Sequence, residues 1–137
     1  MRRSASFLLT LLASSCVLFT SACNSSYQPK GVKIPEGFQI ACYPQSTCTR
    51  SDSTPLPGNQ KQMIVVLLSD DDMSKVCDWY KTELTFKGYR VLSDNTLKNG
   101  TMVLESEEDK LHCTVSLTPL KDTMKTVISI STFPKPI

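Results

Sequence analysis

Apolar and polar residues alternate through most of the second half of the chain, which is the pattern of strands with one buried face. Asn99-Gly100 stands between two of these stretches and predicts a tight turn. Residues 63–68 form instead a continuous apolar run, which favours a strand covered on both faces. The four alternating stretches are predicted to be successive antiparallel strands, at residues 89–93, 101–106, 111–118 and 124–131.

A helix is predicted between the apolar run and the first alternating stretch. Ser69 suits its N-terminal cap, with Asp72 in the capping-box position three residues later. Asp70 and Asp71 complement the positive end of the helix dipole, and Gly88 is predicted to end the helix. Apolar residues recur at helical spacing and form the stripe that should face the sheet: Met73, Val76, Cys77, Tyr80 and Leu84.

Together these elements predict an α+β fold, with one helix packed on an antiparallel sheet of about five strands, in the order strand, helix and four-strand meander. Residues 34–44 are expected to form an extended lead segment laid over the fold. Residues 45–62 are rich in Ser, Thr, Pro, Gly and Asn and are therefore predicted to be a loop. The single domain is expected to span residues 34–137, after a polar tether at residues 23–33.

The start of the chain has the pattern of an export signal. Arg2 and Arg3 precede an apolar stretch at residues 7–19, and small residues lead from there to Cys23. This stretch is shorter than the about 20 residues that are needed to span a bilayer. Residues 1–22 are therefore predicted to be a cleaved signal peptide.

The segment Phe19-Thr20-Ser21-Ala22-Cys23 resembles the bacterial lipobox. The resemblance implies that Cys23 becomes the first mature residue and carries lipid chains on its sulfur and its amino group. Thr20-Ser21-Ala22 also fits an ordinary signal-peptidase site, so plain secretion is an alternative, as is a non-cleaved anchor. Asn24 stands where Asp retains similar lipoproteins in the inner membrane, which implies the outer membrane in a cell that has one.

Length and charge limit the class of protein. Cleavage before Cys23 removes 22 of the 137 residues and leaves 115, enough for one domain with a modest core. The whole chain has 15 basic and 13 acidic residues, and the signal peptide holds two of the basic ones. The mature chain is therefore neutral overall, which argues against nucleic acid as a partner and against an electrostatic hold on a membrane.

The cysteines support the same export route. Of the six in the chain, Cys16 leaves with the signal peptide and Cys23 takes the lipid, so that four remain and can pair completely. Their spacing does not match zinc or redox motifs. Because the helix stripe should meet the apolar sheet face, the favoured disulfides are Cys42–Cys48 and Cys77–Cys113. The alternatives are Cys42–Cys77 or Cys42–Cys113, or buried thiols at Cys77 and Cys113.

No set of residues indicates a catalytic, cofactor or metal site. His112 is the only histidine and has no partner motif. The run at residues 70–72 lacks calcium-loop spacing and is explained by the helix start. An acidic cluster at Glu105, Glu107, Glu108 and Asp109 suits a solvated turn. A cleft that gathers Glu105, Glu108 and His112 would favour an enzyme instead.

The helix and its flanks resemble the small α+β domain of many uncharacterised bacterial lipoproteins. The resemblance covers roughly residues 38–133 and is carried by Val76, Trp79-Tyr80-Lys81, Leu84 and Gly88-Tyr89. It implies a lipid-tethered envelope domain and brings no catalytic residues. The expected function is therefore a non-enzymatic, lipid-anchored envelope protein that contacts another envelope protein or the cell wall. The alternative is a module that binds a small ligand or peptide between the lead segment and the sheet.

Overall fold

The computed structural model describes residues 27–136, which form one sheet and one helix. Six strands pair antiparallel, and β1 pairs parallel with β2 at one edge. The strand order across the sheet is β1-β2-β3-β7-β6-β5-β4. The elements in chain order are β1 (Lys30–Gly31), β2 (Thr47–Leu56), β3 (Gln60–Ser69), α1 (Met73–Phe86), β4 (Arg90–Thr96), β5 (Met102–Glu107), β6 (Leu111–Pro119) and β7 (Thr126–Pro134).

The predicted fold class is wrong in the number and the arrangement of its strands. The structure is mostly sheet, with seven strands in one mixed sheet instead of about five antiparallel strands. The helix does pack on this sheet, and the meander from β4 to β7 follows the predicted order. The difference lies at the other edge, where β1 and β2 extend the sheet beyond β3.

Strand β2 lies inside the segment predicted to be a loop. Most of its side chains are exposed, because it is near the sheet edge and only Cys48 is fully buried. Backbone hydrogen bonds to β3 therefore stabilise β2 as a strand. Such bonds do not depend on side chains, so the sequence of β2 shows no alternation of apolar and polar residues. Gly58 and Asn59 both have positive φ, which closes the tight β2–β3 hairpin.

The core lies between α1 and one face of the sheet. The helix stripe contributes four buried residues, Val76, Cys77, Tyr80 and Leu84, while Met73 is half-buried. The central strands supply side chains that are completely buried, at Val65, Leu67, Leu104, Val115, Leu117, Ile128 and Ile130. The helix spacing and the alternation on β5, β6 and β7 were predicted correctly, because each places one face inward. The prediction that residues 63–68 are covered on both faces is wrong, since Val65 and Leu67 are buried while Ile64, Val66 and Leu68 are only half-buried.

The helix begins later than predicted. Asp72 is the N-terminal cap and accepts a hydrogen bond from the backbone N–H of Lys75 at 3.1 Å. The hydroxyl of Ser69, the last residue of β3, accepts from the N–H of Asp71 and does not cap the helix. Asp70 and Asp71 consequently precede the first turn, which holds no acidic residue.

The predicted end of the helix is confirmed. Gly88 follows the last helical turn with a φ of +86°, a conformation that glycine adopts without a steric penalty. The N–H of Gly88 donates to the carbonyl of Thr85 at 3.1 Å, and the N–H of Tyr89 donates to that of Leu84 at 2.9 Å. Among residues 27–136, no helix has the length and apolar character that crossing a membrane requires.

The lead segment and the residues on either side of it pack against the core. The Tyr80 hydroxyl donates to the carbonyl of Ala41, and the Tyr27 hydroxyl donates to that of Ser46 at 2.8 Å. Residues 30–31, which lie in the segment predicted to be a tether, form β1. Gly31 permits this pairing, because a Cβ there would lie 2.2 Å from the carbonyl oxygen of Cys48.

Candidate functional site

A cavity of about 530 Å³ opens at the end of the sheet where the helix finishes. It lies between the C-terminus of α1, the start of β4, the β5–β6 turn and the end of β7. Most of its lining side chains are charged, and both signs are present. We call it the charged groove; its lining residues are Lys87, Gly88, Arg90, Glu107, Glu108, Asp109 and Lys135.

A second cavity of about 390 Å³ adjoins the charged groove. The two share Asp109 and Lys135, so that Lys135 stands between them. The second cavity adds Gln60, Lys110 and Pro136 to the lining. Small-molecule sites in proteins have volumes of about 300–1,000 Å³, so either cavity has room for a small ligand or part of a peptide.

Glu107 organises the charges of the groove. One of its carboxylate oxygens pairs with the guanidinium of Arg90, and the other lies 3.1 Å from the ammonium of Lys135. The same ammonium donates to the backbone carbonyl of Glu108 at 3.2 Å. The register of the sheet sets this geometry, because Arg90 and Glu107 face each other across β4 and β5.

The two cations favour the ionised form of Glu107. The hydrogen bond from Arg90, and then that from Lys135, holds the pKa of Glu107 below its usual value. Within residues 27–136, neither Glu108 nor Asp109 forms an ion pair, and the Lys87 ammonium lies 4.0 Å from the Glu83 carboxylate. The groove therefore offers unpaired carboxylates beside a cationic pair that Glu107 only partly neutralises.

Tyr89 lies between two lining residues of the groove in the chain. Its side chain is 7% exposed, and its hydroxyl has no hydrogen-bond partner within the described residues. Burial, followed by the negative charge of Glu108, raises the pKa of Tyr89 to about 12. A buried hydroxyl without a partner is uncommon in folded proteins. Tyr89 does not itself line the groove.

A small cavity of about 90 Å³ lies between the lead segment and the end of the helix, lined by Tyr27, Ile34, Phe38 and Lys87 among others. None of its lining residues lies on a strand of the sheet. The cleft predicted between the lead segment and the sheet therefore stays a prediction. The interface between α1 and the sheet is filled by the buried side chains of the core.

Four cysteines of the described chain are buried thiols without a disulfide in the structure: Cys42, Cys48, Cys77 and Cys113. Burial, and then the charge of Cys48, raises the pKa of Cys42 to about 11. Burial also raises the pKa of Cys77, and that of Cys113 to about 12. These thiols are poor nucleophiles, and the predicted disulfide pairing stays a prediction. Cys23 lies outside the described residues.

The other polar candidates are dispersed. Glu105 lies beside Thr114, and its carboxylate accepts a hydrogen bond from Ser93 at 3.3 Å. His112 is half-buried opposite Glu107, and neither Glu105 nor His112 lines the charged groove. Of the three residues whose gathering in a cleft would have favoured an enzyme, only Glu108 lines the groove. Within the described part of the chain, no three His, Cys, Asp or Glu residues are grouped so as to hold a metal.

The sequence did not reveal the groove, because its members are far apart in the chain. Arg90 and Glu107 are separated by 17 residues. Lys135 comes later in the chain, after β6 and β7. The acidic run at residues 107–109 was recognised but was assigned to a solvated turn. Only the cross-strand register brings the two cations to these carboxylates.

Comparison with family models identifies the kind of domain. A family model described as "START domain-like" matches residues 48–127, which is more than half of the chain. The match runs from the beginning of β2 to the beginning of β7 and includes the helix and most of the groove. It leaves out the lead segment and Lys135. No curated protein matches the chain.

Proposed function

Because the chain belongs to the START domain-like family, we propose that it is a binding module whose site is the charged groove. Membership of this family suggests ligand binding, and the volume of the groove, about 530 Å³, lies within the range of small-molecule sites. The observation that carries the proposal is the arrangement around Glu107. Arg90 and Lys135 converge on one carboxylate, while two further carboxylates are left without cationic partners.

This arrangement suits a ligand that carries both charges. A carboxylate of the ligand would pair with Arg90 or Lys135, and an ammonium or guanidinium would pair with Glu108 or Asp109. A zwitterionic small molecule has this chemistry, and so does a short peptide segment of an envelope protein. The function involves binding alone, without a chemical step.

The proposal also includes the localisation of the protein. The pattern of residues 1–23 supports export and lipidation of Cys23, so that the module would be tethered to the outer face of a bacterial membrane. Mass spectrometry of the mature protein should find a lipid-modified Cys23 at the N-terminus. An unmodified N-terminal residue would exclude the anchor and would leave ligand binding as a separate question.

The binding site can be tested with a defined probe, the dipeptide lysyl-glutamate. Its stabilisation of the full chain is measured as a shift in melting temperature with increasing probe concentration, since a ligand that binds only the folded state stabilises it. N-acetylalanine amide, which has no charge, should give no shift. Direct titration calorimetry on the same samples should give a dissociation constant.

Arg90→Gln is the informative variant, because the Arg90 side chain is 74% exposed and its replacement should leave the fold intact. We expect it to weaken probe binding at least tenfold. Lys98→Gln is the matched control, since Lys98 is also exposed but lies outside the groove. If the probe causes no shift in the wild-type protein, or shifts both variants equally, the charged groove is not the site.

A further inference from the structure

Two hairpin turns project from the end of the sheet opposite the charged groove. The β4–β5 turn comprises residues 97–101 and the β6–β7 turn comprises residues 120–125; we call them the hairpin tips. Large apolar side chains are exposed on both. Leu97 is 50% exposed, Leu120 is 38% exposed and Met124 is 72% exposed. Three large apolar side chains are therefore exposed at one end of a small domain.

The exposure is fixed by the backbone of the turns. In the first tip, the N–H of Leu97 donates to the carbonyl of Thr101 at 2.8 Å. In the second, the N–H of Leu120 donates to the carbonyl of Lys125 at 3.0 Å. The hydroxyls of Thr101 and Thr118 lie 3.1 Å apart, which joins the two hairpins where the tips begin. Both tips are therefore ordered turns that hold their apolar side chains away from the core.

The tips carry three exposed lysines, Lys98, Lys121 and Lys125, and one acidic residue, Asp122. The segment between β3 and α1 brings further acidic residues to this end. The Asp70 carboxylate lies 3.0 Å from the Lys125 ammonium, and the carbonyl of Asp71 accepts a hydrogen bond from the Thr126 hydroxyl. Exposed apolar side chains flanked by lysines on the same two turns match a lipid surface with anionic headgroups.

The first described strand, β1, also begins at this end. Lys30 in β1 pairs with Thr47, and the same row of the sheet continues through Leu68 and Val127 to Thr118, at the base of the second tip. Tyr27, the first described residue, is tied to the adjacent Ser46. Cys23 is four residues before Tyr27, a distance of at most about 14 Å of extended chain. A lipid on Cys23 would thus hold this end of the domain near the bilayer.

We propose that the hairpin tips form a second membrane contact, in which Leu97, Leu120 and Met124 enter the interface between headgroups and acyl chains. The lysines of the tips then lie at the level of the lipid phosphates. This inference rests on the proposed lipid anchor, which supplies the proximity. It also orients the protein: β6 has nine residues and spans roughly 30 Å, so the charged groove faces away from the membrane.

The contact can be measured with brominated lipids, which quench tryptophan fluorescence over short distances. The full chain is reconstituted in vesicles of phosphatidylethanolamine and phosphatidylglycerol with bromine on the acyl chains. The introduced tryptophan in the Met124→Trp variant should lose at least half of its fluorescence and shift its emission to the blue. Trp79, the single native tryptophan, is half-buried in the fold and gives the same background in every variant.

Phe86→Trp is the matched control. Phe86 is 77% exposed and Met124 is 72% exposed, so the two positions are similarly accessible. Phe86 lies at the C-terminus of α1 and thus at the end of the domain that carries the groove. Its fluorescence should be unaffected by bromine. Equal quenching in the two variants, or quenching in neither, would overturn the proposal. Flotation of the same vesicles reports the lipid anchor and probe binding reports the groove, so failure of either is distinguished from failure of the tips.

Discussion

Replacing Leu84 by alanine is the sharpest test of the interface between the helix and the sheet. Leu84 is 1% exposed and belongs to the core cluster. The substitution removes three carbon atoms, each worth about 0.8 kcal/mol of transfer free energy, or about 2.4 kcal/mol together. A residual cavity of about 40 Å³ adds about 1 kcal/mol, at roughly 24 cal/mol per Å³. We therefore expect the free energy of unfolding to fall by about 3.4 kcal/mol.

Urea denaturation followed by circular dichroism measures this loss directly. The midpoint should fall while the dependence on urea concentration stays unchanged, because the surface exposed on unfolding is nearly the same. In a thermal scan, the loss corresponds to roughly 10–15 °C for a domain of this size. Alanine and leucine have similar helix propensities, so the change in stability reports packing and not the helix itself.

Phe86→Ala is the control on the same helix. It removes a larger side chain, but Phe86 is 77% exposed, so we expect a loss below about 0.5 kcal/mol. A loss below about 1 kcal/mol for Leu84→Ala would show that the helix stripe is not packed as described. An equal loss for both variants would refute the reasoning as well, since it would mean that burial does not set the cost.

Two further predictions concern the groove and the thiols. Because the folded pKa of Glu107 is lowered, its ion pairs should stabilise the wild-type protein over Glu107→Gln above about pH 4.3, the ordinary pKa of a glutamate, and this advantage should vanish as the pH falls through the folded pKa. Urea denaturation at several pH values tests this, and a difference independent of pH would contradict it. Peptide mapping of the exported, denatured and unreduced protein should find Cys42 joined to Cys48 and Cys77 joined to Cys113. A fragment joining Cys42 to Cys113, or alkylated Cys77, excludes that pairing.

Local sequence determined the elements whose side chains alternate between core and solvent. The helix stripe through Val76, Tyr80 and Leu84 was predicted because its residues recur at the period of the helix that buries them. The meander from β4 to β7 was predicted for the same reason, with a period of two. Gly88 marked the end of the helix because the residue after the last turn adopts a positive φ, which glycine does without a steric penalty.

The tertiary structure decided what depends on distant partners. β2 is polar on both faces and is a strand only because the backbone of β3 pairs with it, so its own residues gave no sign of it. Asp72 rather than Ser69 caps the helix because β3 continues through Ser69. The groove exists because the sheet register sets Arg90 against Glu107 and brings Lys135 alongside. Residue type and spacing encode burial along one element, whereas the meeting of charges from separate strands is fixed by the register between them.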